Sequence, residues 1–386
     1  MHVALYSDTF EPQINGVAVV VETIGHELVR QGHRVTVCTV SAPGHHVTLP
    51  RRLKKEPYRV IRYASASLPT YKEQRATVAT ILGSTWWIEQ DKPDVIHAHD
   101  PFALGLEAIG VSKVFRRPLV WTAHTFLKDY VKHLRLLAPL GRMLAEHYEP
   151  WIYNRGRLVT CPSEALAQDL KRRGLKRPVI LLENPVDIDR FAQAAALRSS
   201  GRERYGLKSQ TLLYFGRLSY EKNLHELLDA VTPVLLQHQD FRMLVVGEGP
   251  ERSALERHAK ARSVADQIIF TGILRGEALV EAVSAADVFV TASLTENQPI
   301  SLIEAQAAGL PVVAYAARGI PEIIADGKTG FLLKPGETVQ FGEALEKILA
   351  SPALRLELGE QSKKAMQRFQ VRTVVSRLTN IYEQCG

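Results

Sequence analysis

Two series of alternating strands and helices, one in each half of the chain, leave few folds open. In the first half Val3–Tyr6, Val35–Val40, Arg59–Tyr63, Val95–Ala98, Leu119–Ala123 and Leu158–Cys161 read as short β-branched strands. Helical patterns such as Val19–Gln31 and Pro101–Phe115 lie between them. A second series runs through Leu212–Phe215, Met243–Val246, Ile268–Thr271, Val288–Thr291, Pro311–Tyr315 and Gly330–Leu333. Such alternation builds βαβ units and parallel sheets covered on both faces. The expected class is therefore α/β, with two doubly wound domains. A length of 386 residues fits two domains.

The segment from Asn184-Pro185-Val186-Asp187 to Ser200-Gly201 separates the series, and the expected domains are 1–190 and 191–370. In the tail, Val374, Val375, Leu378 and Ile381 recur at helical spacing. That helix, within 371–386, packs either on its own domain or back on the first. Ligands of doubly wound sheets bind outside the carboxyl ends of the strands, so two such sheets are expected to face a central cleft.

Several classes are excluded. With 46% apolar and 23% charged residues the chain is neither disordered nor fibrous. No apolar run approaches the length of a spanning helix. The start, Met1 to Asp8, reads as a strand entering a turn rather than a signal peptide. Cys38, Cys161 and Cys385 have neither disulfide-framework nor metal-ligand spacing. The expectation is an intracellular protein, soluble or peripheral to a membrane, with no metal site.

Charge is unevenly placed. Residues 1–190 carry 26 Lys/Arg against 19 Asp/Glu, whereas the remainder carries 22 of each, so the net +7 belongs to the first half. An anionic partner is expected there. Two basic clusters stand out: Arg51, Arg52, Lys54 and Lys55, and the segment from Lys128 to Arg142. Nucleic acid is one such partner, though no nucleic-acid-binding pattern accompanies the clusters; an anionic membrane surface is the other. In the second cluster Phe126, Tyr130, Leu134 and Leu137 recur every three or four residues, with Lys128, Lys132 and Arg135 to the side. The pattern suits an interfacial basic helix or a core-facing helix with a solvated side. Pro139 and Gly141 favour a broken element there.

The chemistry-bearing motifs sit where strands end. Gly216-Arg217-Leu218-Ser219-Tyr220-Glu221-Lys222-Asn223 follows a strand and opens a helix, so Arg217 and Lys222 flank free N–H groups suited to a diphosphate. Solvated surface charge is the equal alternative. Glu296 lies in a loop with Asn297 and Gln298, and a helix beginning near Pro299 or Ile300 carries Glu304 one turn in. Carboxylates there would accept from sugar or ribose hydroxyls; a cap and an exposed helix charge are the plainer reading. Gly247-Glu248-Gly249 lacks the third glycine of the dinucleotide fingerprint and reads as close backbone approach to a ligand. Gly16 permits close approach or a positive φ, or is a turn glycine. His124 ends a strand and is either structural or part of the site, while His97 and His99 are structural or substrate-lining. Asp187 reads as a helix cap rather than a metal ligand.

These motifs, with Ala307-Ala308-Gly309-Leu310-Pro311-Val312-Val313 and Gly327-Lys328-Thr329-Gly330-Phe331, follow the order found in family 4 retaining glycosyltransferases, which the whole chain resembles. Asn184-Pro185-Val186-Asp187 is similar to the family's Asn-Gly-Val-Asp hinge. The resemblance implies the GT-B fold, with a nucleotide-sugar donor held by the second domain and the last helix crossing back to the first. It implies that Arg217 and Lys222 neutralise the diphosphate without a metal or other cofactor. Glu304 would then hold ribose, Glu296 the sugar, and His124 would line the sugar pocket with Gly16 near donor and acceptor. The Glu loop departs from the family's frequent Phe-Gly pair with Gln298-Pro299; Pro299 has no N–H, so Ile300 and Ser301 inherit those contacts. His124-Thr125-Phe126-Leu127-Lys128-Asp129-Tyr130 resembles bacterial enzymes that add a hexose to diacylglycerol. The implied reaction moves glucose from a UDP-linked donor to a lipid acceptor at the cytoplasmic face of a membrane. Hexosyl transfer, such as mannosyl transfer, to a soluble glycan or another lipid precursor is the alternative, and a non-catalytic nucleotide-sugar-binding protein the alternative from another class.

Overall fold

The computed structural model describes residues 1–13, 15–41, 57–67, 75–77, 88, 90–126 and 138–385. They divide into two compact units, Met1–Pro185 with Val371–Gly386, and Val186–Gln370.

In the first unit the strands are β1 (His2–Ser7), β2 (Arg34–Val40), β3 (Arg59–Tyr63), β4 (Ser65–Ser67), β5 (Arg75–Thr77), β6 (Val95–Ala98), β7 (Leu119–Thr122), β8 (Leu158–Cys161) and β9 (Val179–Leu181). All but β4 and β5 form one parallel sheet in the order β3-β2-β1-β6-β7-β8-β9. β4 and β5 pair antiparallel. The strand order reverses between β1 and β6, where a doubly wound sheet opens its ligand crevice. Buried β1, β6 and β7 read as apolar runs because helices cover both faces.

The C-terminal helix Val371–Glu383 belongs to this unit. Its buried Val374, Val375, Leu378 and Ile381 lie at helical spacing, and it packs on the helix Gly16–Arg30. Tyr382 Oη lies 2.6 Å from His97 Nδ1, locking the helix to β6. An ion pair of 2.5 Å joins Arg377 to Glu183.

The second unit holds β10 (Thr211–Phe215), β11 (Arg242–Val246), β12 (Ile268–Gly272), β13 (Val288–Thr291), β14 (Val312–Tyr315) and β15 (Gly330–Leu333), all parallel, in the order β12-β11-β10-β13-β14-β15. Its reversal falls between β10 and β13. One core layer includes Leu213, Phe215 and Phe289, and the layer on the other face includes Leu212, Tyr214 and Val290.

The units meet in sequence at Pro185 and Val186, not at residue 190 as expected. The reason is packing: Ile188 and Phe191, on the short helix Ile188–Ala192, are buried in the second unit's core. Asp187 caps that helix by accepting from Arg190 N at 3.4 Å. Pro139 and Gly141 lie within a helix that spans Ala138–Tyr153, while residues 127–137 of that segment lie outside the described residues.

Candidate active site

The turn after β10 begins at Gly216, whose φ of +152° lies in the region that favours glycine. Beside it Gly247, at φ +140°, comes so close that an added Cβ would lie 1.9 Å from Gly216 O. Leu218 N donates to Glu248 O at 2.9 Å and Glu251 N to Leu218 O at 3.0 Å. The two glycines of Gly247-Glu248-Gly249 thus let this turn pack directly on the turn after β10. Glu248 pairs with Arg252 one helical turn on.

The Gly216 turn continues into a single 3-10 turn, Tyr220–Lys222, and the helix Leu224–Gln237. Asn223, at φ +54°, bridges the two and donates to Ala292 O at 3.2 Å, just past the end of β13. Thr295 Oγ1 and Ser293 Oγ donate to Glu221 O at 3.2 and 3.4 Å. The loops after β10 and β13 are thus sewn together at the point where the strand order reverses. Lys222 Nζ lies 2.5 Å from Glu296 Oε1, with side chains 22% and 18% exposed. Gly319 N donates to Glu296 O at 3.1 Å and holds the loop from the β14 side.

Lys222, Glu296, Gly216, Pro299 and Ser301 line one pocket of about 20 Å³, roughly the room one water needs. Ile300 and Ser301 open the helix Ile300–Ala307, whose first N–H groups have no intrahelical acceptor. Asn297 and Gln298 are buried at 5% and 9% exposure. Arg217 is half-buried in the same turn as Lys222.

Glu304 sits in a different setting. Burial pushes its carboxyl up to about 8, opposed by nearby Arg190 and reinforced by Asp187. The residue read from sequence as an acceptor-only carboxylate holds its proton more tightly than an ordinary glutamate, and when protonated its OH also donates. The plainer reading, an exposed helix charge, is overturned. Arg190 was missed by sequence reasoning; its placement one turn past the Asp187 cap was the available signal.

A second polar group gathers at the strand ends of the first unit. Ser7 Oγ and Asp8 N donate to Asp100 Oδ2 at 2.7 and 3.0 Å. Asp8 accepts from Leu104 N at the start of the helix Ala103–Phe115. Burial, then the neighbouring Asp100, holds Asp8 well above the usual carboxylate range, and burial lifts Asp100 to about 6. His124 Nε2 lies 3.0 Å from His99 Nδ1, the rings stacked at 5.3 Å. Burial lowers His124 to about 3 and keeps both rings neutral. His97 is structural, held by Tyr382 and Thr122, each at 2.6 Å. Asp8 and Asp100 carried no motif and were not singled out from sequence.

Gly16 is the first residue of its helix, and Asn15 caps it by accepting from Ala18 N at 2.9 Å. Phe126, expected at a lipid surface, is 1% exposed and lies in the first unit's core. Its aromatic ring is apolar area the core takes up, so it is unavailable to a membrane. Arg51, Arg52, Lys54, Lys55, Lys128, Tyr130, Lys132 and Arg135 lie outside the described residues. No group of metal-ligating side chains occurs among the described residues, and no described helix is long and apolar enough to cross a membrane.

Two family models match successive parts of the chain, Glycosyltransferase Family 4 at residues 14–190 and Glycosyl transferases group 1 at residues 200–365. The chain belongs to the family 4 glycosyltransferases. This glycosyltransferase is 28% identical over 357 residues to the alpha-monoglucosyldiacylglycerol synthase of Streptococcus pneumoniae, covering 91% of this chain and 79% of that one. Its fold matches sucrose-phosphate synthase from Thermosynechococcus elongatus at TM-score 0.84 and 22% identity, over 99% and 98% of the two chains. Anabaena HepE in complex with UDP-glucose matches at TM-score 0.78 and 20% identity over the whole of both chains. The two parallel-sheet units are the paired Rossmann-like domains of the GT-B fold.

Proposed function

We propose that this glycosyltransferase moves glucose from a UDP-linked donor to a lipid acceptor of the diacylglycerol class, with retention at the anomeric carbon. The observation that carries the donor side is the Lys222–Glu296 pair at the β10/β13 reversal. Cations fixed where charge develops on a departing diphosphate stabilise the transition state. Lys222 and Arg217 take that role, so no metal is required of the reaction. Glu296 holds sugar hydroxyls, and Glu304 with Arg190 holds the ribose. The bond from C1 to the phosphate oxygen breaks, the acceptor oxygen bonds C1 on the same face, and its proton passes to the departing phosphate. Likeness to the pneumococcal diacylglycerol enzyme and to HepE with UDP-glucose supports the choice of acceptor and donor.

The membrane contact is assigned to the first unit's basic half, through the segments 51–55 and 128–135, with the protein at the cytoplasmic face. The test incubates the protein with UDP-glucose, GDP-mannose or ADP-glucose and diacylglycerol in anionic vesicles, with and without EDTA. The expected result is an α-linked glucolipid from UDP-glucose alone, unchanged by EDTA. Transfer only to soluble glycans, or only from another donor, overturns the assignment.

A further inference from the structure

The amino ends of β7, β8 and β9 form an edge opposite the one bearing His124. Each of these strands is entered through arginine: Arg117-Pro118 before β7, Arg155-Gly156-Arg157 before β8 and Arg177-Pro178 before β9. Parallel strands all enter from one edge, about 4.8 Å apart, so residues spaced far apart in sequence are stacked there. The pairing of Val120 with Leu158 and of Val159 with Val179 sets Arg117 beside Arg155 and Arg157 beside Arg177. The four arginines line one open cavity of about 650 Å³, bounded on its other side by Gln384 and Cys385 of the C-terminal helix region.

Two of the guanidinium groups are anchored to the protein. Arg155 lies over the Trp151 ring at 3.3 Å and donates to Trp151 O. Arg177 Nε donates to Asn154 O at 2.8 Å. These anchors are a ring face and carbonyls, neither of which carries a countercharge. Among the described residues no carboxylate lies within ion-pair distance of any of the four. Clustered like charges repel, and an anion in the cavity relieves that repulsion. Planar forks held in place suit the oxygens of a phosphate group, since less ordering remains to be done on binding.

We propose that this cavity is a second anion site, separate from the Lys222 pocket, that binds a phosphate group. The phosphate comes either from a soluble phosphate ester or from a lipid headgroup; Trp151, 48% exposed beside Arg155, is placed for the latter. The site is independent of the proposed transfer reaction.

Calorimetry with inorganic pyrophosphate at low salt tests it, on the wild type and on two paired variants, Arg155→Gln/Arg157→Gln and Arg117→Gln/Arg177→Gln. Melting curves verify folding, and two pairs guard against one failing to fold. Lys222→Ala separates the other pocket. The expected result is pyrophosphate binding that survives Lys222→Ala and weakens at least tenfold in either arginine pair, while UDP binding and glucosyl transfer stay at the wild-type level. Sedimentation with phosphatidylglycerol and phosphatidylcholine vesicles then names the source. Pelleting with phosphatidylglycerol that the arginine pairs lose assigns a headgroup; pelleting they retain assigns a soluble ester. Pyrophosphate binding unchanged in both arginine pairs, or abolished by Lys222→Ala alone, overturns the site.

Discussion

Lys222 and Glu296, 74 positions apart in sequence, meet at 2.5 Å because each follows a strand flanking the reversal of the second sheet. The pair keeps a cation half-buried in the free protein without leaving it uncompensated. It also means that an arriving diphosphate competes with Glu296 for the lysine. Removing the carboxylate charge should therefore strengthen diphosphate binding while weakening the hold on the sugar. Glu296→Gln is expected to bind UDP more tightly than the wild type and to turn over at least tenfold more slowly. Lys222→Ala should lose in both. Calorimetric UDP binding alongside initial rates checks this, and weaker UDP binding by Glu296→Gln would contradict the competition.

Glu304 gives a pH signature. Its carboxyl titrates near 8 in the folded chain, mainly through burial, and near 4.3 when unfolded. Between those values the folded state keeps a proton that the unfolded state has released. Stability contributed by this group thus falls as pH rises through that window, by at most about 1.4 kcal/mol per pH unit. Glu304→Gln should flatten that part of the profile. Urea midpoints from pH 5 to 9 for both proteins measure it, and parallel profiles would place the carboxyl's titration elsewhere.

The histidines at the first unit's strand ends behave in the opposite sense. His97 and His124 are lowered to about 3, in each case first by burial. They stay neutral in the folded chain where unfolded histidine charges near 6.5, so their contribution to stability is lost as pH falls below about 6.5. Asp8 and Asp100, both raised, oppose that trend in total stability. Ring proton shifts isolate the histidines: His97 and His124 should show no titration between pH 5 and 8. A midpoint near 6.5 for either would mean its ring is solvated.

The parallel sheets were legible because most of their strands are buried and rich in β-branched and apolar residues; β3, β6, β8, β13 and β15 have the bounds expected from sequence. The short β4–β5 hairpin, Ser65–Ser67 and Arg75–Thr77, has no such run, and β9 is an apolar run of only three half-buried or exposed residues. Lys222 and Glu296 were legible as strand-end residues, but their pairing was not, since it depends on which strands become neighbours. The state of Glu304 was hidden for a similar reason. Spacing places it on a helix; its half-burial follows from packing of that helix against Ile188–Ala192. The approach of Gly247 to Gly216 was not legible either, because sequence cannot say whether a glycine makes room for a ligand or for the chain itself.

That last distinction can be tested with two glycines of positive φ. Gly336, at φ +87°, has nothing within 4 Å of an added Cβ, so Gly336→Ala suffers backbone strain alone, about 1–2 kcal/mol. Gly247→Ala adds a collision with Gly216 O, which would lie 1.9 Å from the new carbon. A carbonyl fixed in a neighbouring turn cannot rotate away as a side chain can, and overpacking of this kind costs about 1–3 kcal/mol more. Gly247→Ala is therefore expected to lower the melting temperature further than Gly336→Ala, and to shift the turn that carries Arg217 and Lys222. UDP binding should weaken in Gly247→Ala and not in Gly336→Ala. Equal melting temperatures would show that the two turns do not approach as closely as the backbone places them.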